Sequence, residues 1–242
     1  MFANFGFKIS KISTKSVIHS NTTDAFKIQK HLIKDSNKEL IIFDIGAHVG
    51  GIALKYNELF LKSKIFCFEP FLESFLELEQ KTYTFKNIIA FNKGLSDREG
   101  FSKFYSNCSA PTNSLLKAHA SSELIWGKGL LDNLGTVDIE LTTIDNFVLE
   151  YHIEMIDILK MDVQGAEFKV LKGAKKTFEK GIIKMIYTEI IMLPTYEGQM
   201  PFEETIKLIR SFGFELFNFY NHSLTNEGQL RQVDAIFIKS NT

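Results

Sequence analysis

The sequence predicts an α/β fold in which a doubly wound, mainly parallel sheet carries helices on both faces and ends in an antiparallel hairpin. From residue 40 onward, short apolar runs rich in β-branched residues alternate with amphipathic stretches, as in successive βαβ units. The first run is bounded by a glycine-containing turn, which is typical of a buried strand. The last two runs have only a polar loop between them, and strands without a crossover helix pair antiparallel.

Each apolar run is assigned to a strand and each amphipathic stretch to a helix. The strands are expected at 40–44, 64–68, 88–92, 101–105, 136–142, 156–161, 184–190, 214–219 and 234–239. The helices are expected at 50–60, 72–78, 144–151, 166–179 and 203–212. Gly181 and Gly213 follow the last two helices, at the position where glycine commonly ends a helix.

The domain organisation follows from this assignment. One domain is expected at 40–242, preceded by a helical extension at 1–39, which is an ordinary division for a chain of 242 residues. Within the extension, 23–33 is expected to form a helix that leads into the first strand. A loop-rich insertion at about 106–135 interrupts the domain. This insertion is the segment that we expect to contact a substrate.

Composition limits the classes of partner. The 28 basic and 29 acidic residues give a formal net charge of −1, whereas domains that neutralise many phosphates carry a basic excess. No apolar run approaches the roughly 20 residues that span a bilayer, and the N-terminus lacks the apolar core of a secretory signal. Cys67 and Cys108 form no CxxC pair, which favours a reducing compartment. We therefore expect a cytoplasmic protein without nucleic-acid binding or a membrane span.

The segment 43–51 reads Phe-Asp-Ile-Gly-Ala-His-Val-Gly-Gly and carries the clearest functional signal. Gly46 and Gly50 remove side chains where a ligand would approach the backbone, and the following helix N-terminus supplies free N–H groups. Asp44, at the strand end, suits a ligand that carries positive charge. Glu69 ends the second strand about 20 residues later, where an acid in a doubly wound fold accepts hydrogen bonds from a ribose diol. Together these residues indicate an adenosine-type ligand.

Alternatives stay open on these residues alone. The glycines could serve only a tight turn, and Glu69 could be a charge before Pro70 at a helix N-terminus. The ligand could be S-adenosylmethionine (SAM) or a nicotinamide dinucleotide, because both contain a ribose. The dinucleotide fingerprint G-x-G-x-x-G is not met, because His48 stands in the place of its middle glycine.

Over about residues 40–192 the sequence resembles the FkbM family of SAM-dependent methyltransferases. The most specific match is Lys-x-Asp-x-x-Gly-x-Glu, followed by Leu-Lys-Gly. The matching segments, in the family's order, are FDIGAHVG at 43–50, FEP at 68–70, NKGLSD at 92–97, LTTIDNF at 141–147, IDILKMDVQGAE at 156–167, LKGA at 171–174 and YTE at 187–189. His48 is a departure, since the family usually carries Asn there.

The resemblance implies a seven-stranded methyltransferase sheet with SAM across the carboxyl ends of its strands. Glu69 would hold the ribose hydroxyls, and the turn from Asn92 to Leu95 would lie near the adenine. The full set of implied cofactor-binding residues is Asp44, Gly46, His48, Gly50, Glu69, Pro70, Asn92, Gly94, Leu95 and Asp162.

Methyl transfer depends mainly on positioning the acceptor, and a hydroxyl acceptor must also lose a proton. Asp162 is the first catalytic candidate, because it ends a strand at the edge where open α/β sheets bind their ligands. With Glu189, at the end of the next main strand, it could instead hold a divalent cation that acidifies the hydroxyl. The structural alternatives are a helix cap for Asp162 and a rim charge for Glu189.

Histidine is better matched than a carboxylate to proton transfer at neutral pH. His119 lies in the insertion, which could fold over the active site, and His152 and His222 are also available. An ordinary surface or packing role is the alternative for each. The stretch 107–114 is rich in hydroxyl and amide groups and suits either a polar acceptor or a plain surface loop.

The leading functional hypothesis is O-methylation of a sugar or glycoconjugate precursor, either nucleotide-linked or in a polysaccharide or capsule pathway. The sugar comes from the family resemblance. The alternatives are methylation of another small metabolite at oxygen or nitrogen, an NAD-dependent sugar oxidoreductase or epimerase, and an inactive scaffold. A nucleic-acid amino-methyltransferase is disfavoured, because residues 161–164 read Met-Asp-Val-Gln in place of its Asn/Asp-Pro-Pro-aromatic motif. Homo-oligomerisation stays open.

Overall fold

The computed structural model describes residues 24–33 and 38–240. Its strands are β1 (Leu40–Ile45), β2 (Ser63–Phe68), β3 (Ile88–Phe91), β4 (Gly94–Leu95), β5 (Gly100–Asn107), β6 (Asn133–Thr142), β7 (Ile158–Met161), β8 (Met185–Ile191), β9 (Phe214–Leu224) and β10 (Leu230–Lys239). Its helices are α1 (Ala25–Leu32), α2 (Gly51–Leu59), α3 (Leu72–Thr82), α4 (Ser122–Trp126), α5 (Ile144–Glu150), α6 (Glu167–Lys172), α7 (Lys175–Glu179) and α8 (Phe202–Ser211). In the described ranges, no helix is long and apolar enough to cross a bilayer.

Seven strands form the main sheet, in the order β3-β2-β1-β7-β8-β10-β9. β10 is antiparallel to both of its neighbours, whereas β1, β2, β3, β7 and β8 pair in parallel. This confirms the predicted doubly wound sheet with an antiparallel C-terminal hairpin. Strands β1 to β3 are added toward one edge of the sheet and the strands from β7 onward toward the other, so the topological switch point lies between β1 and β7. Open α/β sheets bind ligands at such a point, beyond the carboxyl ends of the strands.

Alternation along the strands divides the core between the two faces of the sheet. In β1, Phe43 and Ile45 join the cluster on one face, and Leu40 and Ile42 join the cluster on the other, because successive side chains of a strand point in opposite directions. Helices α5 to α8 pack on the first cluster and α1 to α3 on the second. With both faces covered, the sites left for a ligand are the edges where strands end.

The prediction of one continuous helix over 166–179 was wrong, because the structure has two helices, α6 and α7, separated at Gly173. The carbonyl of Gly173 accepts a hydrogen bond from the backbone N–H of Asp145 at 2.9 Å. The Asp145 carboxylate in turn accepts from the N–H groups of Lys176 at 3.0 Å and Thr177 at 2.8 Å. These contacts satisfy the N–H groups at the start of α7 and so allow a second helix to begin.

The insertion contains more regular structure than the predicted loop. β5 and β6 extend further into it than expected, and a 3-10 turn at Ala110–Thr112 and helix α4 lie between them. β6 pairs with β5 and with β4, so that a separate three-stranded sheet forms beside the main one. The sequence analysis treated β4 as a turn. The hairpin strands β9 and β10 are also longer than predicted.

Helix α1 occupies most of the helix predicted at 23–33, and the remainder of the predicted extension lies largely outside the described residues. The Asp24 carboxylate caps the helix by accepting from the N–H of Phe26 at 2.9 Å. The Phe26 ring lies 5.3 Å from that of Tyr56 and 5.6 Å from that of Tyr187. The Tyr56 hydroxyl donates to Gln29 Oε1 at 2.8 Å. Helix α1 therefore shares the core of the sheet.

A buried ion pair joins β1 to β7. Asp44 and Lys160 are partners in the register of the two strands, and Lys160 Nζ lies 2.9 Å from Asp44 Oδ1, with side-chain exposures of 5% and 0%. Nζ also donates to the Gly46 carbonyl at 2.9 Å. Burial by itself would lower the pKa of Lys160, but the charges of Asp44 and Asp162 outweigh it and raise that pKa. Burial raises the pKa of Asp44, and Lys160 opposes this rise.

The first prediction concerns Gly173. A Cβ at this position would lie 1.9 Å from the Ser96 carbonyl oxygen, so Gly173→Ala forces the backbone of β4 and α6 apart. We expect the free energy of unfolding to fall by about 2 kcal/mol or more, measured by urea denaturation. Gly51→Ala is the control, because Gly51 lies in α2 with no atom within 4 Å of its added Cβ. Equal stabilities of the two variants would contradict the steric argument.

The second prediction concerns the ion pair. Lys160→Met keeps an unbranched side chain but leaves the Asp44 carboxylate buried without its cation, and breaking a buried pair in this way costs about 3–5 kcal/mol. The double variant Asp44→Asn/Lys160→Met should recover about 1 kcal/mol or more, because no uncompensated charge remains. Thermal and urea unfolding measure both. A loss below about 1 kcal/mol in Lys160→Met would show that the pair contributes little.

Candidate active site

A cavity of about 300 Å³ opens at the carboxyl ends of β1, β2 and β7, within the size range of small-molecule sites. Most of its wall is apolar, and part of that wall comes from the insertion. The polar side chains that line it are His48, Glu69, Asn113, Lys160, Asp162 and Gln164. The apolar lining includes Ile52, Phe68, Pro70, Leu95, Phe104, Pro111, Leu115 and Val163.

The turn after β1 forms the floor of the cavity. Gly46 has a φ of +72°, and a Cβ there would lie 1.9 Å from the Asp162 carbonyl oxygen, so this position accepts glycine alone. His48 has a φ of 47°, in the left-handed region where Asn and His are the more tolerated non-glycine residues. This shared tolerance explains how His48 can replace the Asn of the family pattern. Gly50 faces α3, since its Cβ would lie 2.7 Å from Leu78 Cδ1.

Glu69 lies at the cavity wall, where the sequence analysis expected it. Its Oε2 accepts from the N–H of His48 at 2.8 Å and its Oε1 from the N–H of Phe71 at 2.9 Å. Burial raises the pKa of Glu69 to about 7, against the opposing effect of these two N–H groups. Each oxygen of an ionised carboxylate has a second lone pair. The group can therefore also accept hydrogen bonds from a diol.

In the segment that the family resemblance places near the adenine, some residues line the cavity and others hold the neighbouring loop in place. The Asn92 amide donates to the carbonyl oxygens of Glu69 at 3.0 Å and Pro70 at 3.1 Å, so it holds the loop after β2. Pro70, Gly94 and Leu95 line the cavity, whereas Asn92 and Gly50 lie outside its wall. These two residues support the site from outside its wall, and their contact with the cofactor stays a prediction.

Asp44 also lies outside the wall and reaches the cavity only through Lys160, which does line it. The sequence analysis did not identify Lys160. A usable signal was present, because lysine is almost never fully buried unless paired, and this one stands in the otherwise apolar strand Ile158–Met161. The pattern of residue types predicts a buried partner, but only the strand register identifies Asp44 as that partner.

The two catalytic carboxylates predicted at neighbouring strand ends do lie close together, and Gln164 joins them. Gln164 Nε2 donates to Asp162 Oδ1 at 2.7 Å and to Glu189 Oε2 at 3.0 Å. Asp162 lines the main cavity, whereas Glu189 lines a separate, smaller pocket together with Glu167. Burial raises the pKa of Glu189 well above its usual value, and the charges of Asp162 and Glu167 add to this rise.

Gln164 was missed by the sequence analysis, although it stands inside the most specific motif. Its φ of 52° is left-handed, and its Oε1 accepts from the Tyr196 hydroxyl at 2.9 Å. Its backbone carbonyl accepts from Ser114 Oγ at 2.6 Å. Asn113, in the same stretch, lines the cavity. The stretch 107–114 therefore contributes Ala110, Pro111 and Asn113 to the cavity wall, and its binding of a polar acceptor stays a prediction.

His119 is exposed and lies outside the cavity wall. Its Nδ1 lies 2.7 Å from Ser121 Oγ, and its N–H donates to the Thr195 carbonyl at 2.8 Å. His48 is the histidine that the wall contains, and burial lowers its pKa. Within residues 24–33 and 38–240, no cluster of three His, Cys, Asp or Glu side chains is arranged to hold a metal ion.

Comparison with known proteins identifies the family. Residues 44–216 match the Methyltransferase FkbM domain. The chain is 29% identical over 205 residues to the 2-O-methyltransferase NoeI of Sinorhizobium fredii, covering 78% of this chain and 79% of that protein. It is 28% identical over 188 residues to methyltransferase sdnD of Sordaria araneosa, covering 69% of this chain and 71% of that protein.

Among solved structures, the precorrin-6y C5,15-methyltransferase of Geobacter metallireducens GS-15 aligns with a TM-score of 0.48 and 10% identity, over 91% of this chain and 92% of that one. The family assignment comes from the domain match, which extends from the end of β1 into β9 and includes the turn after β1, Glu69 and the Asp162 motif. The protein therefore belongs to the FkbM methyltransferase family and is a SAM-dependent methyltransferase.

Proposed function

We propose that the protein transfers the methyl group of SAM to a hydroxyl group of a sugar or glycoconjugate precursor. The observation that carries the proposal is the Asp162 carboxylate, which lines the cavity and is held by the Gln164 amide. A carboxylate in this position can accept a hydrogen bond from an alcohol. The name of the relative NoeI, a 2-O-methyltransferase, supports oxygen as the methylated atom.

The residues of the cavity fit SAM. Glu69 would accept hydrogen bonds from the ribose diol through the lone pairs that His48 and Phe71 leave free. Pro70 and Leu95 supply apolar surface for the adenine. The positive charge of the ligand is matched by the acidic side of the cavity, where Asp162 lies. SAM supplies a methyl group that its sulfonium already activates for displacement.

In this mechanism the protein's own task is to orient the acceptor and receive one proton. Asp162 accepts the hydrogen bond of the acceptor hydroxyl and so directs an oxygen lone pair at the methyl carbon. As the O–C bond forms and the S–C bond breaks, the hydroxyl proton becomes strongly acidic. The Asp162 carboxylate can then take it, so a stronger base is not required. Because His119 lies outside the wall, the proposal assigns this proton to Asp162.

The proposal uses no divalent cation. The nitrogen of the Gln164 amide stands between Asp162 and Glu189, donating one hydrogen bond to each, in the place that a shared cation would need. Burial raises the pKa of Glu189, which further weakens it as a cation ligand at neutral pH. In this arrangement Gln164 provides the hydrogen-bonded link between Glu189 and Asp162.

We also propose that the enzyme works in the cytoplasm. Cys67 is buried within β2 and Cys108 is exposed, and both are unpaired thiols, as expected in a reducing compartment. The net charge of −1 favours a small polar acceptor over a nucleic acid.

The third prediction tests the reaction. Incubation with labelled SAM and a panel of nucleotide-linked and oligomeric sugars should give a methyl ether, with the same rate in a chelator such as EDTA. Asp162→Asn should lower turnover by about 10²-fold, with S-adenosylhomocysteine (SAH) affinity close to that of the wild type by calorimetry. The control is Asp132→Asn, an exposed position of the insertion. Methylation of a nitrogen, or of non-sugar metabolites alone, would overturn the sugar-hydroxyl assignment.

The fourth prediction follows from the pKa of Glu69 at about 7. The ionised carboxylate accepts the ribose hydroxyls, so protonation competes with binding. The affinity for SAH should be constant above about pH 8 and should fall below pH 7, by at most about tenfold per pH unit. Calorimetry between about pH 5.5 and pH 8 measures it. In Glu69→Gln the affinity should be lower and flat with pH, and a flat wild-type profile would refute the role given to Glu69.

A further inference from the structure

Gln164 occupies a junction between the carboxylates of the site and the insertion. It follows β7 by three residues, in a left-handed conformation with a φ of 52°. Such a conformation costs a non-glycine residue about 1 kcal/mol or more. The next residue is glycine, and a Cβ on Gly165 would lie 2.9 Å from the Tyr196 ring. The strained turn places the Gln164 side chain where its neighbours can use every polar atom of the amide.

The amide is fully satisfied on the side of the carboxylates. Its nitrogen carries two protons, one directed to Asp162 Oδ1 at 2.7 Å and the other to Glu189 Oε2 at 3.0 Å. Asp162 is partly exposed to the cavity, whereas Glu189 is 6% exposed. Since Glu189 is fixed in the core, the bridge through Gln164 restricts the rotation of Asp162.

The other side of the same amide faces Tyr196, in the segment after β8, which links it to the insertion. The Tyr196 hydroxyl lies 2.9 Å from Gln164 Oε1 and 3.0 Å from the carbonyl oxygen of Thr112. Ser114 Oγ donates to the Gln164 carbonyl at 2.6 Å. Tyr196 is 2% exposed and packs with Leu116. The insertion therefore contacts the Gln164 backbone directly through Ser114, and it is linked to the Gln164 side chain through Tyr196, whose hydroxyl also reaches the Thr112 carbonyl.

We propose that Gln164 is a positioning residue that directs Asp162 toward the acceptor, and that it does so only while the insertion is seated on it through Ser114 and Tyr196. The inference rests on the proposed role of Asp162. It extends that role by making the alignment of the carboxylate depend on the insertion. Seating of the insertion and alignment of the Asp162 carboxylate then occur together.

The fifth prediction uses Gln164→Asn. Asn tolerates the left-handed conformation, so folding is retained, but its amide is one methylene too short to bridge the two carboxylates. We expect turnover with the methylated sugar to fall by about tenfold or more and SAH affinity to stay within about threefold. Tyr196→Phe, which removes only the hydroxyl, should give a smaller fall. Gln80→Asn, at an exposed position of α3, is the control.

A double variant separates positioning from general damage. If Gln164 acts through Asp162, Gln164→Asn should have almost no further effect, about twofold at most, once Asp162→Asn is present. Losses that multiply in the double variant would overturn the proposal. Wild-type turnover in Gln164→Asn would also overturn it, while a loss in Asp162→Asn alone would leave the proposed function standing.

A second readout needs no acceptor. Trp126 is the single tryptophan of the chain; its Nε1 donates to Thr195 Oγ1 at 3.0 Å, beside Tyr196, and the Arg231 guanidinium lies 4.0 Å from the ring centre. If Gln164 seats the insertion, acrylamide should quench Trp126 emission more strongly in Gln164→Asn and Tyr196→Phe than in the wild type or Asp162→Asn. Unchanged quenching in both variants would overturn the link to the insertion, whichever substrate the enzyme uses.

Discussion

The close approach of the β1 turn to the end of β7 is the constraint from which the site follows. Gly46 packs against the Asp162 carbonyl, and the Asp44–Lys160 pair joins the same two strands one step below. Because the two backbones are this close, main-chain atoms form the floor of the cavity and the charged side chains lie at its sides. This contact sets the backbone position of Asp162 at the wall, whereas Gln164 holds its side chain.

Four carboxylates near the cavity have different surroundings, and those surroundings separate their roles. Asp44 is paired with a buried ammonium, and Glu69 accepts two backbone N–H groups. Glu189 is buried with a raised pKa, and Asp162 faces the cavity. Burial without a cation favours the protonated acid, whereas hydrogen bonds to the carboxylate favour the ion. One residue type can thus support the fold and also carry the proposed cofactor and acceptor roles within a single site.

The insertion contributes structure as well as surface. Its backbone pairs with the segment after β8, where Ala118 and Tyr196 form a β-bridge and Glu197 donates to the Lys117 carbonyl at 2.7 Å. Trp126 extends this attachment to the hairpin through Arg231. These contacts attach the insertion to the main sheet, and they give it a defined position although its sequence carries no recognisable pattern.

Hydrophobic periodicity was sufficient to predict the main sheet and most of its helices, because alternation in strands and amphipathic spacing in helices are local properties of the chain. The tight turn after β1 and the position of Glu69 directly after β2 were also predictable, because the glycines of a short motif indicate the local backbone geometry. The partner of Lys160, the bridge made by Gln164, the break at Gly173 and the outward position of His119 depended on the tertiary structure. Each of these depends on contacts between segments far apart in sequence, such as Ser114 with Gln164 and Asp145 with Thr177. Contacts of that kind produce no periodic pattern in the amino-acid sequence.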